Sequence, residues 1–187
     1  MELCVRNLSK SYDGRAVLEN VSFTAPVGLT RIAGNSGIGK TTLLRILLGL
    51  ERADGGEVAP KNLRWAAVFQ EDRLLEGLDA EGNLRFVLGA AYDDSHTKAL
   101  LGALGLGDVG GKKVCDYSGG MKRRLALARA LLAPCDALAL DEPFTGLDRA
   151  SRDAALGAVL RAAEEKIVLL AAHEALALPA HCGEVKL

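Results

Sequence analysis

The chain has 187 residues, 49% of them hydrophobic and 25% charged, with 23 Lys and Arg against 24 Asp and Glu. That length and balance fit one folded domain with a real core, and a net charge of −1 without a long basic block argues against electrostatic binding to nucleic acid. Four cysteines, Cys4, Cys115, Cys135 and Cys182, lie far apart with no CxxC pair, which argues against a disulfide framework or cysteine metal site and fits a reducing compartment.

The N-terminus lacks the charged-then-apolar layout of a signal peptide. No apolar run reaches the roughly 18 residues of a membrane span, because Arg45, Arg129 and His173 interrupt the best candidates. If the function involves a membrane, another chain supplies the span.

In chain order, Glu2 to Leu8 alternates apolar and polar residues and predicts a half-buried strand. Ser11 to Arg15 is a turn, and Val17 to Thr24 predicts a second strand, so an antiparallel sheet precedes the next motif. By spacing alone Tyr12 is an ordinary turn aromatic. Leu29 to Ala33 predicts a buried strand and Thr41 to Leu48 a helix. Between them stands Gly34-Asn35-Ser36-Gly37-Ile38-Gly39-Lys40-Thr41, which fits G-x-x-x-x-G-K-[ST] at every fixed position. The glycines let backbone N–H groups approach phosphate oxygens, and the helix N-terminus adds partial positive charge. Lys40 reaches the outer phosphates and the Thr41 hydroxyl suits Mg²⁺.

Asp54-Gly55-Gly56 reads as a tight turn, and Leu63 to Phe69 as a short strand ending at Gln70. Helices are expected near Ala80 to Leu88 and Ser95 to Leu104, followed by glycines at 102, 105, 107, 110 and 111 that loosen the chain. This region, roughly 77–117, reads as a small helical subdomain within a single domain, 1–187. Ser118 can cap a helix opened by Gly119 and Gly120. Met121, Leu125, Ala128 and Leu132 share one face of it, Lys122, Arg123 and Arg124 read as a solvated face, and Pro134 ends it. Ala137 to Leu140 predicts a buried strand that delivers Asp141 and Glu142 at its C-terminal end, where ligands bind in open α/β sheets. Asp141 suits Mg²⁺, and Glu142 can polarise an attacking water as general base. Arg149 to Glu164 predicts a helix buried along Leu156, Val159, Leu160 and Ala163. Ile167 to Ala172 predicts a strand ending at His173, and Glu184 to Leu187 an edge strand.

Over nearly its whole length the sequence resembles the ATP-binding cassette (ABC) ATPases. The matching stretches stand in the family's order. Tyr12 matches the aromatic that stacks on adenine, Gly34 to Thr42 the Walker A loop, and Gln70 in Phe69-Gln70-Glu71 the Q-loop. Tyr117-Ser118-Gly119-Gly120-Met121 matches the signature motif, Asp141-Glu142-Pro143 Walker B with its glutamate, Gly146-Leu147-Asp148 the D-loop, and His173 the switch histidine.

The resemblance implies an α/β fold: a P-loop NTPase core with a mostly parallel sheet, an N-terminal antiparallel β subdomain and a small helical subdomain. It implies ATP and Mg²⁺ as cofactors, with Thr41, Gln70 and Asp141 at the metal and Glu142, Gln70 and His173 in hydrolysis. It implies two cassettes, here a homodimer, closing head-to-tail on two ATPs, with Ser118, Gly119 and Gly120 serving the partner's nucleotide. Further implied partners are transmembrane permease subunits, whose contact the Gln70 loop would feel, and a solute-binding protein, but no nucleic acid. The implied place is cytoplasmic, peripheral on the inner face of the membrane.

Some positions depart from the pattern. Tyr117 and Met121 stand where the family commonly has Leu and Gln, although the Ser-Gly-Gly centre is intact. Only 30 positions separate Lys40 from Gln70, so a hairpin or loop of the antiparallel subdomain is expected to be missing. The chain stops soon after His173, so no C-terminal regulatory domain is expected. The stretches 69–75 and 118–124 resemble importer ATPases of the nitrate/sulfonate/taurine type. The reading that follows is the ATP-hydrolysing subunit of a transporter. Alternatives are a soluble non-transport ABC ATPase, a regulatory ATP-binding module and a small-molecule P-loop kinase. The 48 positions between Gln70 and Ser118 leave no room for the long coiled coil of DNA-repair members. Glu142 and His173 argue against a non-hydrolysing module, and the signature motif has no role in a kinase.

Overall fold

A computed structural model describes residues 1–172 and 176–187. Strands β1 (Glu2–Tyr12) and β2 (Arg15–Pro26) form an antiparallel hairpin that turns on Asp13 and Gly14, both at positive φ (50° and 78°). An Asp-Gly pair is the preferred content of a two-residue turn whose twist matches the strands. A third strand, β4 (Gly55–Ala59), pairs with the other edge of β1, giving the order β2-β1-β4. Gly55 and Gly56 therefore belong to a strand rather than to the expected turn. A Cβ on Gly56, at φ +90°, would stand 2.5 Å from the Asn7 carbonyl oxygen. The glycine is there because the β1 backbone passes so close.

The second sheet holds five strands in the order β5-β6-β7-β3-β8: β5 (Trp65–Val68), β6 (Ala137–Asp141), β7 (Ile167–Ala171), β3 (Gly28–Ala33) and β8 (Gly183–Lys186). Every pairing in it is parallel. Among the described residues the α-helices are α1 (Lys40–Leu47), α2 (Ala80–Leu88), α3 (Asp94–Ala103), α4 (Gly119–Leu132) and α5 (Arg149–Ala163). The expected α/β fold, with a parallel sheet and an N-terminal antiparallel one, is what forms.

The near-continuous apolar runs of β6 and β7 follow from burial on both faces. Successive side chains of a strand point to opposite sides, so each strand feeds two cores. Leu138, Leu140, Val168 and Leu170 pack with α4 and α5 residues such as Leu125, Leu127, Leu156 and Val159. Ala137, Ala139, Ile167 and Leu169 pack on the other side with Leu43, Leu44 and Ile46 of α1 and with Leu3, Val5 and Leu8 of β1. The sheet is thus sandwiched between helices and the antiparallel sheet. Because all these pairings are parallel, the loops after β3, β5 and β6 emerge at the same edge of the sheet, with β7 between β3 and β6.

One assignment changes on α4. Arg123 is buried, with only 5% of its surface exposed, so Lys122, Arg123 and Arg124 do not form a solvated face. The Arg123 guanidinium donates to the carbonyls of Phe69 and Gln70 and pairs with Asp72. Arg124 donates to the Leu104 and Gly105 carbonyls, and Lys122 pairs with Glu76 at 2.8 Å. The two arginines satisfy carbonyls of irregular chain that need donors, and Lys122 is spent on a carboxylate of the same segment that Arg123 holds.

Candidate functional site

The loop between β3 and α1 owes its shape to three glycines at positive φ: Gly34 at 152°, Gly37 at 77° and Gly39 at 112°. Gly39 is the N-cap of α1 and has no side chain with which to cap it. The first N–H groups of α1 consequently face outward with the positive end of the helix dipole. Lys40 is 6% exposed and its Nζ lies 2.7 Å from the Gly34 carbonyl and 3.1 Å from that of Asn35, so its charge is folded back across the loop it leaves.

Asp141 ends β6 and is 2% exposed. Its Oδ2 accepts from the Thr41 hydroxyl at 2.7 Å, across 100 positions of sequence. Strand β7 separates β6 from β3 in the sheet, so this bond reaches over the end of β7. Glu142 follows at φ 52°, a conformation unusual for a non-glycine residue, with its N–H donated to the Ala171 carbonyl at 2.8 Å. Strained backbone of this kind clusters at functional sites, where the surrounding structure holds it.

A cavity of about 310 Å³ unites these groups. Tyr12, Val17, Ser36, Gly37, Gly39, Lys40, Thr41, Thr42, Gln70, Asp141 and Glu142 line it. Residues predicted from the phosphate loop, the segment after β5, the end of β6 and the hairpin thus meet on one surface. Gly34, Asn35 and Ile38 belong to the same loop but lie outside that lining. The expectation for His173 concerns a residue outside those described. A larger cavity of about 770 Å³ lies between β2, α5 and β8, lined by Phe23, Leu29, Leu160 and Cys182 among others. It contains no phosphate-loop residue, so size does not mark the site.

Tyr12 reaches the cavity from the end of β1 and is 40% exposed. Its hydroxyl is hydrogen-bonded to the Glu51 carboxylate, and that bond pushes the phenol pKa up. Lys10 sits 5.2 Å from the Tyr12 ring centroid and 3.6 Å from Glu51, joining strand and ring to the segment after α1. Glu51 and Lys10 escape sequence reasoning, since neither stands in a motif and their partners are decided by the fold.

Ser118, Gly119 and Gly120 stand apart from this lining. Ser118 is the N-cap of α4 and its Oγ accepts from Met121 N–H at 3.3 Å. Gly120 lies against the Gly146 carbonyl and Leu147. Asp148 caps α5 by accepting from Ser151 N–H at 2.9 Å and its hydroxyl at 2.8 Å, bonds that hold its carboxyl below the usual range. Signature and D-loop residues are thus neighbours on the surface. Tyr117 packs inward and is 6% exposed.

Among the described residues no cluster of three His, Cys, Asp or Glu side chains forms a metal cage. No helix there is long and apolar enough to cross a membrane.

Comparison with known proteins agrees with this geometry. The family model described as ABC transporter matches residues 18–145. The aliphatic sulfonates import ATP-binding protein SsuB 1 of Paracoccus denitrificans is 39% identical over 154 residues, covering 80% of this chain and 63% of that protein. The taurine import ATP-binding protein TauB of Ruegeria pomeroyi is 36% identical over 191 residues, 91% of this chain and 71% of its own length. The chain spans about six tenths of the length of the sulfonate-import relatives. Among solved structures, a putative ABC transporter (ATP-binding protein) from Pyrococcus furiosus superposes with a TM-score of 0.87 at 26% identity, covering 100% of this chain and 97% of that one. The resemblance to sulfonate and taurine importer ATPases is borne out by these relatives. A phosphate loop, a strand-end Asp-Glu and a match across residues 18–145 agree: the chain belongs to the ABC transporter family.

Proposed function

We propose that this chain binds Mg-ATP in the cavity between β3, β5 and β6 and hydrolyses it, as the ATP-binding subunit of a solute importer. The observation that carries the proposal is the Thr41–Asp141 hydrogen bond of 2.7 Å beside Lys40. It joins the two halves of a nucleotide site from opposite ends of the sequence. Lys40 would move from its loop carbonyls to the outer phosphates, as a point charge among backbone N–H donors. Tyr12 would stack on the base, its ring held by Glu51 and Lys10.

The donors on this wall are hard oxygens: the Thr41 hydroxyl, the Asp141 carboxylate and the Gln70 amide. They suit Mg²⁺, which keeps several waters and takes a carboxylate together with substrate phosphates rather than a full protein cage. When bound, Mg²⁺ would neutralise charge on the phosphates. Glu142 would accept a proton from the attacking water, and His173 would touch the outermost phosphate.

Ser118, Gly119 and Gly120 open α4 and do not line this chain's own cavity. Free helix-start N–H groups form an anion site, so they would serve ATP held by a second copy. Each patch of a two-fold pair must meet its complement on the partner. Permease subunits would supply the membrane span, docking against the Gln70 loop and the region near 77–117, on the cytoplasmic face. A solute-binding protein would deliver the cargo. Aliphatic sulfonates and taurine, named for the relatives, give the class to try first.

The test is ATP turnover and binding by the purified chain with Lys40→Ala and Glu142→Gln. Glu142→Gln is expected to keep ATP affinity and lose about 10²–10⁴-fold in rate. Lys40→Ala is expected to lose affinity. Turnover unchanged in both variants would overturn the proposal.

A further inference from the structure

The buried Arg123 has consequences for Gln70. Residues 69–79, between β5 and α2, contain no helix or strand. Their backbone is instead hung on α4. Arg123 donates to the carbonyls of Phe69 and Gln70, the latter at 3.1 Å, and pairs with Asp72 at 3.0 Å. Arg129, further along the same helix, donates to the carbonyls of Asp72 at 2.9 Å and Arg73 at 2.6 Å. Beyond them, Asn83 of α2 holds Leu75 by accepting from its N–H at 2.8 Å and donating to its carbonyl at 3.0 Å.

Arg123 differs from the other anchors in what it holds. Its guanidinium grips the peptide of Gln70 itself, and the Gln70 side chain lines the cavity beside Thr41 and Asp141. The fork geometry matters. One planar group offers N–H donors to two carbonyls and a carboxylate at once, which a single ammonium on a flexible stem cannot match. Because the side chain is 7% exposed, water cannot readily replace those donors.

We propose that Arg123 is a positioning residue that ties Gln70 to α4, so that Gln70 meets the Thr41–Asp141 site only while α4 is seated. This rests on the reading of the cavity as an ATP-hydrolysing site. The start of α4 carries Ser118, Gly119 and Gly120, five residues or fewer from the arginine. Whatever engages that start therefore bears on this chain's own Gln70 through one side chain.

The experiment has two arms, both on the full chain. In the first, Arg123→Gln is made alone and with Gln70→Ala. Alone it should lower kcat about tenfold to hundredfold, the equivalent of losing charge-assisted hydrogen bonds, with KM for ATP within about twofold. With Gln70→Ala already present it should change kcat by less than about twofold, since residues acting as one unit are not additive. An equal fall in both backgrounds would mean a structural strut, and would overturn the proposal. In the second arm, amide hydrogen exchange is read over residues 70–74. Exchange there should rise about tenfold or more while β6 stays protected. Unchanged exchange would overturn the proposal whether or not the wild-type chain turns over ATP. Absence of wild-type turnover would instead count against the ATPase reading, leaving the exchange arm to decide on Arg123. Arg123→Lys, which keeps the charge and stem but not the fork, should behave as Arg123→Gln does in both arms. Should Arg123→Gln fail to fold, it carries both arms instead.

Discussion

Gly39→Ala is expected to destabilise the chain by about 3 kcal/mol, from two separable causes. The residue sits at φ +112°, ψ 7°, outside the basins of an L-residue, and such strain costs on the order of 1–3 kcal/mol. An added Cβ would also stand 2.9 Å from Leu18 Cδ2 and 2.9 Å from the Val17 carbonyl oxygen. Leu18 is packed in the core at 2% exposure and the Val17 carbonyl is strand backbone, so neither yields readily and overpacking adds about 1–3 kcal/mol. For a chain of this size each kcal/mol moves Tm by about 2–4 °C, so the melt should fall by about 6–12 °C. Gly37→Ala is the control. Gly37 sits at φ +77° with nothing within 4 Å of the added Cβ. It should cost about 1 kcal/mol of strain alone, or about 2–4 °C. Thermal unfolding by circular dichroism without nucleotide reads both. Coincident melts, or a milder effect at Gly39, would refute the reasoning, because the loop would then be free to move off β2.

Three further outcomes follow from the geometry. Thr41→Val keeps the volume but strips Asp141, 2% exposed, of its hydroxyl donor; stability should drop by about 1–3 kcal/mol in a denaturant titration. Glu51→Ala should weaken ATP binding about 2–12-fold through loss of the Tyr12 tether, while tripolyphosphate, which has no base to stack, should bind unchanged in calorimetry. The Arg64 guanidinium and N–H hold the Asp136 carboxyl down to about 2. A depressed folded-state pKa stabilises above the unfolded value near 3.8 and loses that contribution as pH falls towards 2. An Asp136→Asn variant should therefore lack part of the stability lost by wild type over that acid range, measured by melts at stepped pH.

Local physics was legible in the chain itself. The phosphate loop is a run of contiguous residues whose glycines announce positive φ. The strands β6 and β7 declare themselves as unbroken apolar runs, and Ser118 before its helix predicts the cap that forms. Each of these depends on neighbours within a few positions, so residue order determines it. The same is true of the Asp141-Glu142 pair, fixed by the strand that carries it.

Tertiary structure decided the rest. Gly55-Gly56 reads as a turn because glycine favours turns, yet both lie in β4, which pairs with β1, and at Gly56 the β1 backbone at Asn7 leaves no room for a Cβ. Three consecutive cations on α4 read as solvated because charge prefers water. Arg123 is buried because the irregular segment after β5 presents two carbonyls and the Asp72 carboxylate, 51 to 54 positions away, that take its donors. Glu51 holds Tyr12 across 39 positions for a similar reason. A partner brought near only by the folding of two sheets leaves no periodicity in the sequence, and the exchange of water for that partner is settled when the sheets close.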